Sequence, residues 1–188
     1  MFESAAKVFI TMLSLLNYAG APETIVENNI CKLSQVAEGI VVNAQSKEEI
    51  LDLIAVGYIE SKFGYRGNRL VSPRGACGVF QQIPRYAYPE DFPLPTCDSL
   101  QFPAEASFRA SQALRSLKEM YEEDRFCHYN GGNVCSSLAH SYQRAVLRVR
   151  SRARRLLRLL ENPSRTEQSL HRFEDAQNWC EILERPIE

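Results

Sequence analysis

The chain has 188 residues, 45% of them hydrophobic and 24% charged, with nine glycines and nine prolines. That length suits one domain with a real core, and that composition excludes collagen-like, low-complexity and strongly disordered classes. Net charge is −1, but seven of the 22 basic residues fall within residues 144–158, which hold no acid, leaving 15 basic against 23 acidic groups elsewhere.

Residues 3–18 read as an amphipathic helix, with Ala5, Val8, Met12 and Leu16 at helical spacing. Ala19-Gly20-Ala21 has the form of a leader cleavage site, but Glu3 offsets Lys7 and Pro22 would follow the cut, so an intact helix is the expectation. A second, looser helix is predicted over 23–43. Ser46 and Glu49 form a capping box that starts a helix from Lys47 to Phe63, with Ile50, Leu53, Ile54, Gly57 and Tyr58 on one apolar stripe and Glu60 near its end. Residues 64–76 read as loop with a short hairpin at Leu70 and Val71, and residues 78–83 as the opening of a helix that Pro84 interrupts. Five prolines between 84 and 103 predict a long irregular loop, where Glu90 and Asp91 read as surface charges. Pro103 opens a helix to about Asp124, residues 128–133 form a turn, and further helices span 138–160 and 164–183. No long apolar run is free of charge, so no transmembrane span is predicted. The fold class is therefore mainly α: a helical bundle with at most a small β-hairpin.

Six cysteines, at 31, 77, 97, 127, 135 and 180, permit three disulfides in any of the 15 pairings open to six cysteines. The favoured expectation is free, mostly buried thiols, and the best candidate pair is Cys127 with Cys135, which bracket a Gly-Gly turn. His128, His140 and His171 form no metal-ligand pattern, so neither metal nor cofactor is predicted. In the arginine-rich segment, Leu147, Leu156, Leu157, Leu159 and Leu160 are expected inside and the arginines in solvent. The alternative is attraction to polyanions such as teichoic acid, phospholipid headgroups or nucleic acid. Leu170, Phe173, Trp179 and Leu183 read as a core stripe of the last helix.

Glu60 is the candidate catalyst. Protonating a glycosidic oxygen needs a carboxyl that is still protonated near neutrality, and burial among apolar groups raises its pKa toward that range. Tyr58, Phe63, Phe80 and Tyr142 are the expected walls. The order ESKF at 60–63, SPRGACGVFQQIP at 72–84, HYNGG at 128–132 and YQRAV at 142–146 resembles the lytic transglycosylase family, whose members have a goose-type-lysozyme-like fold and cut peptidoglycan glycan strands. The likeness covers about residues 46–155. Phe80, Val79 and Gly131 depart from it, standing where the family commonly has Met, Leu and Ala.

The resemblance implies an α+β lysozyme-like domain over 46–160 around a substrate cleft, flanked by helical extensions 1–45 and 161–188. It makes Glu60 the single acid/base. Ser61 is assigned to orient it or the substrate, and Gln81, Tyr129, Asn130 and Tyr142 to bind the sugar chain. The implied reaction cleaves the β-1,4 bond between N-acetylmuramic acid and N-acetylglucosamine and leaves a 1,6-anhydro end. The small size suits local wall opening by a phage virion or a secretion machine, with tail, ejection or secretion-complex proteins as partners. The expected location is the virion, acting in the host wall, or else the bacterial periplasm. Two alternatives stay open: a structural virion or assembly protein with a lysozyme-like fold and little activity, and a hydrolytic goose-type lysozyme.

Overall fold

A computed structural model describes residues 2–21, 29–64, 70–87 and 92–184, with the side chains of 2, 3, 179 and 181–184 excepted. Glu90, Asp91, Trp179 and Leu183, and residues 23–28 of the expected second helix, lie outside the described set. The fold is mainly α. The helices are α1 (Phe2–Tyr18), α2 (Ile30–Asn43), α3 (Lys47–Ser61), α4 (Pro103–Tyr121), α5 (Arg125–Gly131), α6 (Ser137–Leu159) and α7 (Pro163–Glu184). No helix among the described residues is long and apolar enough to cross a membrane.

The α3 helix is the axis of the molecule. Residues 51–58 are buried without interruption, so the single apolar stripe expected there is replaced by burial all round. A helix apolar on every side belongs in a core; α3 packs on α1, α2, α4 and α6. Its start follows the capping logic: the Ser46 hydroxyl accepts from the Glu49 N–H, while the Glu49 carboxylate accepts from Gln45 N–H rather than from Ser46. Its end comes at Ser61, two residues early, because Lys62 and Phe63 both adopt left-handed φ, 53° and 58°. That reversal folds Phe63 back beneath the helix, where it is fully buried.

The flanking helices join the same core. Ala5, Val8, Met12 and Leu16 are buried as their spacing implies, and Phe9 meets Phe173 of α7 edge to face at 5.4 Å. On α6 the inner stripe is Ala139, Tyr142, Val146, Val149, Ala153 and Leu157. Leu147 and Leu159, expected inside, are 43% and 53% exposed. Small residues let α6 lie close to α3, and the bulkier leucines fall off that line.

Three further expectations are corrected. The six cysteines are paired, not free: Cys31–Cys180, Cys77–Cys97 and Cys127–Cys135. The fold brings each pair to a Cα separation of 5.3–5.5 Å, which suits a disulfide, and only the third was a candidate from sequence. Residues 78–83 are not helical. Antiparallel bridges Val71–Cys77 and Cys77–Gln82 make a tight double turn, with positive φ at Gly78 and Gln81. A Cβ at Gly78 would stand 1.9 Å from the Leu100 carbonyl, so only glycine fits that close approach. Residues 128–131 are helical, forming the second half of α5 rather than a turn.

The arginines of α6 are divided. Arg150 donates to Asp52 and Glu48, Arg154 donates to Glu48 at 2.5 Å, and Arg152 lies 3.4 Å from the centroid of the Tyr18 ring. Arg125 of α5 donates to the same Asp52 at 3.0 Å. Asp52 therefore ties α3 to α5 and α6 in a mostly buried setting. Asp52→Ala would leave two guanidinium groups facing a void and should cost about 3 kcal/mol in urea denaturation.

Candidate functional site

Glu60 occupies the last turn of α3, and its surroundings are assembled from three other segments. Three residues earlier, Gly57 opens a slot: a Cβ there would meet the Phe80 and Phe63 rings at 3.2 and 3.3 Å. Both rings are fully buried and form an apolar wall on this face of the helix. Tyr58 contributes indirectly, packing on Phe63 at 5.8 Å between centroids. From α6, the Tyr142 hydroxyl donates to Glu60 Oε1 at 2.6 Å. From α5, the buried Tyr129 hydroxyl donates to the Phe80 carbonyl at 3.0 Å.

Ser61 holds these parts in place. Its hydroxyl donates to the Val79 carbonyl at 2.7 Å and accepts from Gly64 N–H at 3.0 Å, which fastens the double turn to the end of α3. That geometry suits the orienting role. Gln81 sits on the same turn, and its amide donates to Gly78 at 2.9 Å. Asn130 is exposed, one position beyond Tyr129 and so about 100° around α5 from it. The structure thus brings Glu60, Tyr129 and Tyr142 together, with Ser61 and Gln81 on the supporting turn, and leaves Asn130 outside this cluster. His128 stacks on Tyr121 at 3.5 Å and hydrogen-bonds Gly132, as a local structural residue does.

Two features of the site escaped sequence reasoning. One is the backbone of the turn, since the Val79 and Phe80 carbonyls receive Ser61 and Tyr129. Positive φ at Gln81 follows from no residue preference. The other is the Asp52 brace. Asp52 precedes Glu60 by eight residues and Arg150 follows Tyr142 by eight, so the two contacts define an antiparallel α3–α6 pair fixed at points about 12 Å apart. Equal spacing on two helices is visible only once the helices are paired.

Burial pushes the Glu60 carboxyl up to about 7, and the Tyr142 hydrogen bond, which favours the carboxylate, partly opposes it. Tyr129 and Tyr142 are raised well above the ordinary phenol value, by burial first and then by the Glu60 charge, so they remain proton donors. The neighbouring carboxylates on α3, Glu48 and Asp52, are two turns or more away and are held by arginines. Among the described residues, no group of three His, Cys, Asp or Glu side chains is placed to hold a metal ion. The arrangement is a carboxyl that can hold or release its proton near neutrality, set against an apolar wall, oriented by one phenol and supported by another.

Neither a known protein family, nor a characterised protein, nor a solved structure matches the chain.

The acidity of Glu60 has a consequence for folding. The native state keeps its proton up to about pH 7, while the unfolded chain releases it near 4.5. Between those values the native state binds more protons, so stability falls as pH rises through the window. Glu60→Gln should escape this loss, gaining on the order of 3 kcal/mol relative to wild type by pH 7 and beyond. Urea denaturation of both proteins across that range measures it.

Proposed function

We propose that the chain is a peptidoglycan lytic transglycosylase with Glu60 as its single general acid/base. One observation carries this reading: a carboxyl pushed to about 7 by burial, oriented by Tyr142, at the position where the sequence resembles the catalytic glutamate of that family. General acid/base catalysis works best when the pKa lies near the working pH.

The steps balance with one carboxyl. Glu60 donates its proton to the glycosidic oxygen between N-acetylmuramic acid and N-acetylglucosamine, and the bond from that oxygen to the muramic C1 breaks. The acetamido oxygen of the same muramic residue stabilises the cationic carbon. The Glu60 carboxylate then takes the proton of the muramic 6-hydroxyl, whose oxygen bonds to C1 and leaves a 1,6-anhydro end. No water is consumed, and Glu60 regains its proton. Tyr142 keeps its hydrogen bond through both forms and eases the carboxylate phase. Gln81 and Tyr129 are proposed to line the path of the glycan strand, and Asn130 to meet it further out.

Three disulfides fit an oxidising setting outside the cytosol. That supports action outside the cytosol; delivery to the cell wall by a phage virion or a secretion machine is proposed, with the virion preferred and the periplasm as the other site of action.

Purified sacculi test the reading. Mass spectrometry of the digest should find 1,6-anhydromuramic ends, and Glu60→Gln should lower their formation by about 10²–10⁴-fold. Reducing muramic ends would instead assign a hydrolytic lysozyme. Equal clearing by wild type and Glu60→Gln would mean that Glu60 is not the catalyst, and no clearing by the wild type would favour a structural role. Activity should also fall as pH rises through about 7, where Glu60 loses its proton. Tyr142→Phe removes the bond that favours the carboxylate, so it should move that alkaline limb to higher pH in kcat/KM profiles.

A further inference from the structure

The α6 helix carries two sets of arginines. Arg150, Arg152 and Arg154 are used inside the molecule, on Asp52, Glu48 and the Tyr18 ring. Arg144, Arg148, Arg155 and Arg158 are all exposed, and among the described residues none forms a salt bridge; Arg144 donates to the Ser141 hydroxyl at 2.7 Å, and Arg158 lies in the field of Glu161, whose ion pair is with Lys47. At about 100° per residue these four fall within roughly 80° of arc, and they run about 21 Å along the helix. Ser151 lies within the row, and the exposed Ser137 and Ser141 precede it on the helix. Two exposed leucines, Leu147 and Leu159, flank the row on opposite sides. No acid occurs anywhere in α6, and Glu48, beside it on α3, is engaged by the inner arginines.

We propose that this outer face of α6 is a docking surface for an anionic phospholipid bilayer. The helix lies flat on the bilayer, Arg144, Arg148, Arg155 and Arg158 hold lipid phosphates, and Leu147 and Leu159 enter the headgroup layer. Charge complementarity selects an anionic partner, because α6 holds seven arginines and no acid while the rest of the chain is net acidic. Guanidinium forks match phosphate oxygens, and their alkyl stems tolerate a half-apolar boundary. The leucines favour a bilayer over a nucleic acid: apolar side chains at the rim of a basic face gain nothing from a phosphate backbone but gain burial at a membrane interface. The row is also straight, as a flat surface requires, and carries no Phe, Tyr or Trp for stacking on bases. This inference does not depend on the chemistry at Glu60.

Co-sedimentation of the full chain with lipid vesicles tests it. Vesicles of phosphatidylcholine containing about a third phosphatidylglycerol should bind the protein, neutral phosphatidylcholine vesicles should not, and added salt should release it. Each arginine near the surface contributes about five-fold, so changing Arg144, Arg148, Arg155 and Arg158 together to Gln should weaken binding on the order of a hundred-fold or more. If that variant melts early, Arg148→Gln and Arg155→Gln singly should each cost about five-fold. Leu147→Ser with Leu159→Ser should weaken vesicle binding several-fold while leaving any binding to duplex DNA or soluble polyphosphate unchanged. Vesicle binding that ignores the arginine changes would overturn the proposal. So would the absence of vesicle binding, or DNA or polyphosphate binding as tight as vesicle binding with no effect of the leucine changes.

Discussion

A carboxyl group withdrawn from water keeps its proton unless something nearby rewards its charge. Two acids on the same helix show both outcomes. Asp52, in the middle of α3, is met by Arg125 and Arg150, and its charge is built into the helix packing. Glu60, two turns later, is met by a phenol beside two buried phenylalanines, and burial outweighs the phenol, lifting its pKa to about 7. The difference lies in the partners each receives, not in the residue type. The structure around Glu60 serves to keep those partners in place.

Three constraints do so. The α3–α6 pair is pinned at Asp52–Arg150 and meets again at Glu60–Tyr142, so a slip of either helix would break both contacts together. The double turn is set against Leu100 by Gly78 and against α3 by Ser61, which delivers Phe80 to the slot that Gly57 leaves open. Disulfides then fix two further segments. Cys77–Cys97 ties the turn to the proline-rich loop, and Cys127–Cys135 closes the short stretch that carries Tyr129.

The sequence made some of this legible and withheld the rest for physical reasons. Helix positions followed from periodicity and caps, as at Ser46 and Pro103, because those signals are local. Glu60, Tyr129 and Tyr142 came from ordered motifs, and their convergence agrees with the geometry. The all-round burial of α3 was hidden because Asp52 reads as a solvent-facing charge until the fold places Arg125 and Arg150 beside it. The double turn was misread as helix because positive φ at Gln81 is imposed by bridges to Cys77 rather than by residue preference. The cysteine pairs span up to 149 residues, and no local pattern encodes a contact at that distance. For α6, composition suggested large residues inside, whereas close approach to α3 selects alanine and valine. That choice turns two leucines outward beside the exposed arginines.

The central claim is that the Glu60 carboxyl in the folded protein holds its proton up to about pH 7, well above an ordinary glutamate. The most direct measurement is a carbon-13 NMR titration of the glutamate side-chain carboxyls, with Glu60 assigned by comparison with Glu60→Gln. The account predicts one resonance titrating near pH 7, absent from the variant and moved to higher pH in Tyr142→Phe. A Glu60 carboxyl that titrates at its ordinary value near 4.5 would contradict it, and with it the reading of this site as a general acid.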